Sequence, residues 1–133
     1  MRFFSVFGRL LYSIACADGE VDLREKKFIE NQFLKLIKKH RFGAGDTFRA
    51  GLVLSKLVFE KSCELKLNPQ LVFEGFIQYS DRIKHPIMNS AERDLCIKLL
   101  SDLAAASNGI VQLEKDRLEK SITLFNSIYS NAE

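Results

Sequence analysis

Asp18, Glu20, Asp22 and Glu25 place four carboxylates within eight residues of the run Ala17-Asp18-Gly19-Glu20-Val21-Asp22-Leu23-Arg24-Glu25. Hard oxygen donors at that density suit a divalent cation, and the lack of a neighbouring histidine or cysteine partner favours calcium or magnesium over zinc. Cys16 stands two residues before Asp18 and reads as a small core residue rather than a ligand. Asp18 is the residue without an ordinary structural explanation. A carboxylate at the C-terminal end of a helix meets the negative end of the macrodipole, at a cost of about 0.3–1 kcal/mol. A cation drawing on the helix's free carbonyls and on Asp18, Glu20 or Asp22 would offset that cost.

The spacing also fits the second half of an EF-hand calcium loop, with Asp18, Gly19, Val21, Asp22 and Glu25 in register. Ile14 and Cys16 occupy the places of the first two ligands, so a standard EF-hand is excluded and a partial acidic site remains. Helix ends account for the other residues. Gly19 can take the left-handed conformation that stops one helix, and Asp22 with Glu25 forms a capping box that starts the next, contributing about 1 kcal/mol.

The elements that hold this turn read as helices. Residues 3–17 carry Phe3, Phe7, Leu10 and Ile14, with Phe4, Leu11 and Ala15 beside them, a wide apolar stripe at helical spacing. A second helix runs through Ile29, Phe33, Leu36 and Ile37 to about residue 41, and its cationic end is Lys35, Lys38, Lys39, His40 and Arg41. Gly43-Ala44-Gly45 breaks the chain. A third helix is expected over residues 46–65, with Phe48, Leu52, Val53, Leu57 and Phe59 as its apolar positions. Asn68 then acts as an N-cap with Pro69 at the first helical position of a fourth helix, to about residue 83. His85-Pro86 is another break. Asn89-Ser90-Ala91-Glu92 caps a fifth helix through Leu95, Leu99, Leu100, Leu103 and Ala104, and a sixth starts near Leu113 with Leu118, Ile122, Phe125 and Tyr129 on one face.

A chain of 133 residues that is 47% hydrophobic, with eleven Phe, two Pro and no Trp, suits one all-α domain spanning residues 1–133, of six to seven helices. The net charge of +3 falls well short of a dedicated nucleic-acid binder. The Lys35–Arg41 charge run lacks aromatic interleaving, so no nucleic-acid partner is expected. The three cysteines, Cys16, Cys63 and Cys96, form no C-x-x-C pair and point to a reducing, cytoplasmic compartment. The apolar stretch from Leu10 is too short for a membrane span. His40 and His85 sit beside chain breaks, outside any nucleophile or carboxylate constellation, and no phosphate-cradling loop is present, so an enzyme is not expected.

The two ends of the chain echo each other at an offset of ninety residues. Ala17-Asp18-Gly19-Glu20-Val21-Asp22-Leu23 aligns with Ser107-Asn108-Gly109-Ile110-Val111-Gln112-Leu113, implying two similar helical hairpins joined through DG and NG turns. The motif Ile14-Ala15-Cys16-Ala17-Asp18-Gly19-Glu20-Val21 with Glu25, and its second form around Asn108-Gly109 with Glu114, resembles the TerB-like family. That family comprises tellurite-resistance TerB proteins and the related N-terminal domain of DnaJ-type membrane cochaperones. The resemblance implies a non-enzymatic helical domain with a stress-response or cochaperone-accessory role. It further implies a divalent-metal site whose ligands here would be Asp18, Glu20, Asp22 and Glu25, with Asn108 and Glu114 as a weakened counterpart. The chain departs from the family pattern at Asn108, which replaces an Asp, and at Lys115, where the repeat would place a Glu. The alternative expectation is a protein-interaction module without metal, with Phe42, Phe73 and Ile87 as candidate contacts on the outer side of the helical stripes.

Overall fold

The first helix, α1 (Arg2–Ala15), buries ten of its 14 residues in the computed structural model, so it serves as the axis on which the other helices are laid. The structure describes residues 2–16, 23–39, 46–82, 90–106 and 112–129, which form six helices and, among the described residues, no strand. After α1 come α2 (Leu23–Lys39), α3 (Asp46–Leu65), α4 (Pro69–Arg82), α5 (Ser90–Ala106) and α6 (Gln112–Tyr129). The all-α expectation holds. The first helix closes at Ala15 rather than residue 17; the Cys16 N–H still donates to Tyr12 O at 2.9 Å, and Ala17 lies outside the described residues.

Helices α1 and α3 approach closely because small residues line their crossing. A Cβ at Gly8 would run into the Ser55 carbonyl oxygen, and one at Gly51 would run into the Phe4 ring. At the same crossing the Ser55 hydroxyl donates to Phe4 O at 2.7 Å. This arrangement corrects the expected face of α3. Its buried stripe is Phe48, Leu52, Ser55, Phe59 and Ser62, whereas Val53 and Leu57 are exposed. Ser62 bonds its hydroxyl to Val58 O, which removes the cost of burying it.

On the other side of α1, Phe125 of α6 is wedged between α1 and α4. Its ring lies 5.8 Å from Phe3, 5.9 Å from Phe7 and 5.9 Å from Phe76. Edge-on contacts of this kind add to the burial of the rings themselves. The expected α6 face holds at Phe125 and, half-buried, at Leu118, but its fully buried line runs Arg117, Ser121, Phe125. Helix α5 lies on α6, while the main neighbours of α2 are α3 and α5.

Two helix ends position the site. Asn68 Oδ1 accepts from the N–H groups of Gln70 and Leu71 at 3.0 and 3.1 Å, the N-cap expected ahead of Pro69. Just before it, α3 stops in a Schellman turn. Leu67 N–H bonds Ser62 O and Lys66 N–H bonds Cys63 O, both at 3.4 Å, with Lys66 at φ 52° in the left-handed region where glycine is usual.

Candidate functional site

Of the residues expected to hold a metal, Asp18, Glu20, Asp22 and Asn108 lie outside the described residues, and Glu114 is placed by its backbone alone, in the first turn of α6. Glu25 is the one whose side chain is described. It lies in the first turn of α2, where the helix dipole favours a carboxylate, and is only 4% exposed, turned into the domain while its neighbours Leu23 and Arg24 face solvent. Among the described residues no group of three or more His, Cys, Asp or Glu side chains is placed to hold a metal.

The end of α1 that leads into the acidic turn is held by a residue that the sequence did not mark, Arg117 of α6. It is 3% exposed, donates from Nη1 to Ser13 O at 2.6 Å and from Nη2 to Gln70 Oε1 at 2.9 Å, and stands 5.6 Å from the centre of the Phe73 ring. Burial pulls its pKa down from the usual value, with the nearby Cys16 acting the other way. Ser13 belongs to the last turn of α1, whose carbonyls have no partner within the helix, so the guanidinium caps α1 from another element. One buried cation therefore ties α6 to the end of α1 and to the start of α4. Phe73, an expected outer contact, is corrected by this arrangement: it is 6% exposed and packed under Arg117, while Phe42 and Ile87 lie outside the described residues.

Further along the same pair of helices the surface opens. Arg2 stands over the Tyr79 ring at 5.8 Å, near the end of α4, while the Tyr12 hydroxyl donates at 2.6 Å to Leu67 O, just ahead of α4. The two helices therefore run antiparallel. Between them lies a groove of about 760 Å³, with Val6 and Phe76 in its floor, Leu65 and Leu71 at its edge, and Arg2, Arg9 and Arg82 as the charged residues among its described lining. Leu71 is 65% and Leu65 56% exposed, and all three arginines face solvent. Sequence periodicity marked α1 as a buried helix. The narrow line of Arg2, Ser5 and Arg9, at steps of three and four, was the signal for its open edge.

A second depression of about 830 Å³ lies near the α1 end, lined by Tyr12, Cys16 and Cys63 and by the charge-balanced set Lys26, Lys66, Glu60 and Glu64. Burial pushes the Cys63 thiol up to about 11, against an opposing effect of Lys26. Burial likewise raises Tyr12, reinforced by its hydrogen bond with Cys16. Both groups stay protonated at neutral pH. The exposed Lys35 and Lys38 belong to the outer face of α2.

Comparison with family models, curated proteins and solved structures finds no match for this chain.

Proposed function

We propose that this chain is a non-enzymatic, TerB-like helical domain that works by binding a protein partner along the groove between α1 and α4. The observation that carries the reading is the groove itself. Leu65 and Leu71 are more than half exposed beside an apolar floor, and the charged residues among its described lining are all of one sign. Large exposed leucines gathered at a concave seam mark an interaction surface more than a solvated face. The TerB-like resemblance supplies the setting, a stress-response or cochaperone-accessory module. The three free cysteines suit a reducing, cytoplasmic location. No helix among the described residues is long and apolar enough to cross a membrane.

A photo-crosslinking side chain at position 71, compared in cells with one at the exposed Leu57 on α3, tests the reading. A protein adduct specific to position 71 is expected. Adducts absent at 71, or equal at both positions, overturn it.

The second reading is a calcium or magnesium ion at the Asp18–Glu25 turn. What favours it is the inward placement of Glu25, a carboxylate 4% exposed just after that turn. Titration with either ion, followed by amide shifts, is expected to perturb residues 18–25 first; no perturbation at millimolar metal sinks it.

A further inference from the structure

The docking reading names a groove, and three of its features identify the occupant. The first is charge. Among the described residues that line the groove, Arg2, Arg9 and Arg82 are the ionised ones, with no carboxylate beside them. Glu74, the nearest acid along α4 to its floor, is turned away and accepts from Gln70 Nε2 at 3.2 Å. Arg2 and Arg9 are seven residues apart, two helical turns on one face, so they present cations at intervals that match carboxylates along a helix.

The second feature is Gly75. A glycine in the interior of a helix lowers its stability relative to alanine. Gly8 and Gly51 have an internal reason, since a Cβ at either would strike a neighbouring element. At Gly75 a Cβ would meet nothing within 4 Å. The residue leaves a notch in the groove wall between Leu71 and Tyr79 that no described side chain of the protein fills.

The third is shape. Both α1 and α4 are 14 residues long, so the antiparallel seam is about 21 Å in length, that of a four-turn helix. A helix seated there would lay residues at i, i+3, i+4 and i+7 over Leu65, Leu71 and Tyr79, as in other helix-in-groove complexes.

We propose that the α1–α4 groove binds an acidic amphipathic helix of a partner protein, its apolar face over the Gly75 notch and its flanking Asp or Glu side chains on Arg2, Arg9 and Arg82. This rests on the docking reading above and adds the partner's chemistry. An anionic membrane surface would also meet arginines, but it has no use for a notch one residue wide.

The test uses the full chain and a synthetic peptide of about 14 residues, the length that spans the seam. The peptide has leucines at heptad spacing and flanking glutamates; a matched peptide has lysines instead. Fluorescence anisotropy is expected to show saturable binding of the acidic peptide that weakens with added salt and falls about tenfold or more in the Arg9→Glu/Arg82→Glu variant. That variant is expected to gain affinity for the lysine peptide. Gly75→Leu, which fills the notch from the solvent side and leaves the core untouched, is expected to abolish binding while thermal stability stays level or rises. Equal binding of the two peptides by the native chain, or binding undisturbed by Gly75→Leu, overturns the proposal. So does binding to phosphatidylserine-containing vesicles that the same variants abolish when the acidic peptide does not bind. A crosslink at position 71 with no acidic-peptide binding overturns this proposal and leaves the docking reading standing; loss of both removes the two together.

Discussion

Arginine occupies both ends of the seam between α1 and α4, and it does opposite things there. At the closed end Arg117 is 3% exposed, with a backbone carbonyl, an amide oxygen and an aromatic face arranged around it. On the open side Arg2, Arg9 and Arg82 face solvent along a groove with no carboxylate among its described lining residues. The difference lies in where the acceptors come from. Two helices, α1 and α4, converge on Arg117 and supply them, so its charge holds the fold. The groove arginines face solvent instead, with Arg2 over the Tyr79 ring, so an acidic partner would supply the acceptors that the chain gives Arg117.

The sharpest way to break this contrast is to remove the charges one at a time while keeping the stems. Arg117→Met is expected to destabilise the domain by about 2–4 kcal/mol, because it leaves Ser13 O and Gln70 Oε1 without their donor and removes the cap from α1. Arg82→Met is expected to stay within about 0.5 kcal/mol of the native chain, as exposed substitutions generally do. Denaturant midpoints at constant m-value measure both. If the two variants cost the same, the closed end is not a structural device.

Two glycines repeat the comparison in the backbone. Gly8→Ala drives a methyl group into the Ser55 carbonyl at the α1–α3 crossing and is expected to cost about 1–3 kcal/mol, since neither helix can withdraw without opening the core. Gly75→Ala meets open space and is expected to stabilise the domain, by up to about 1 kcal/mol from helix propensity. Opposite signs in thermal melts are the expected result. A loss at Gly75 would mean that its position in α4 has an internal packing role.

A smaller effect belongs to Ser55. Its hydroxyl joins α3 to α1 through Phe4 O, and Ser55→Ala is expected to cost about 1 kcal/mol in urea unfolding, the usual net value of one buried hydrogen bond. A cost near zero would place the strength of this crossing in the close fit of Gly8 and Gly51 alone.

Features written locally in the chain were legible before the structure. Asn68-Pro69 announced the start of α4 because an N-cap and a missing donor act within one turn, and α3 ends where its apolar period stops. What escaped was polar and long-range. Arg117 and Ser121 occupy the buried line of α6, and Ser55 and Ser62 that of α3, in positions that a hydrophobic period assigns to solvent. Their burial is made tolerable by carbonyls that only folding brings near or that lie one turn back. Val53 and Leu57 were misplaced for the same reason, since the serines took the inner face. The groove was hidden because Arg2 and Arg82 are eighty residues apart and become neighbours only when α1 and α4 run antiparallel. Of the acidic turn, Glu25 is placed and its partners in the motif lie outside the described residues.

The smallest expected effect concerns Lys66, in the α3–α4 turn between the groove-lining residues Leu65 and Leu67. Its φ of 52° is a conformation that a side chain makes costly, and its exposed position gives no buried contact in return. Lys66→Gly relieves the steric cost but loosens the unfolded chain, so the two terms partly cancel and a net gain of about 0.5–1 kcal/mol is expected in thermal melts. The turn itself should survive. Leu67 O is fixed by the Tyr12 hydroxyl and Leu67 N by Ser62 O, and neither bond involves the lysine side chain. Acidic-peptide affinity at the neighbouring groove is therefore expected to stay unchanged in Lys66→Gly. A gain in stability accompanied by a loss of binding would show that the strained turn sets the groove's width, and would make the closed and open ends of the seam one coupled device instead of two.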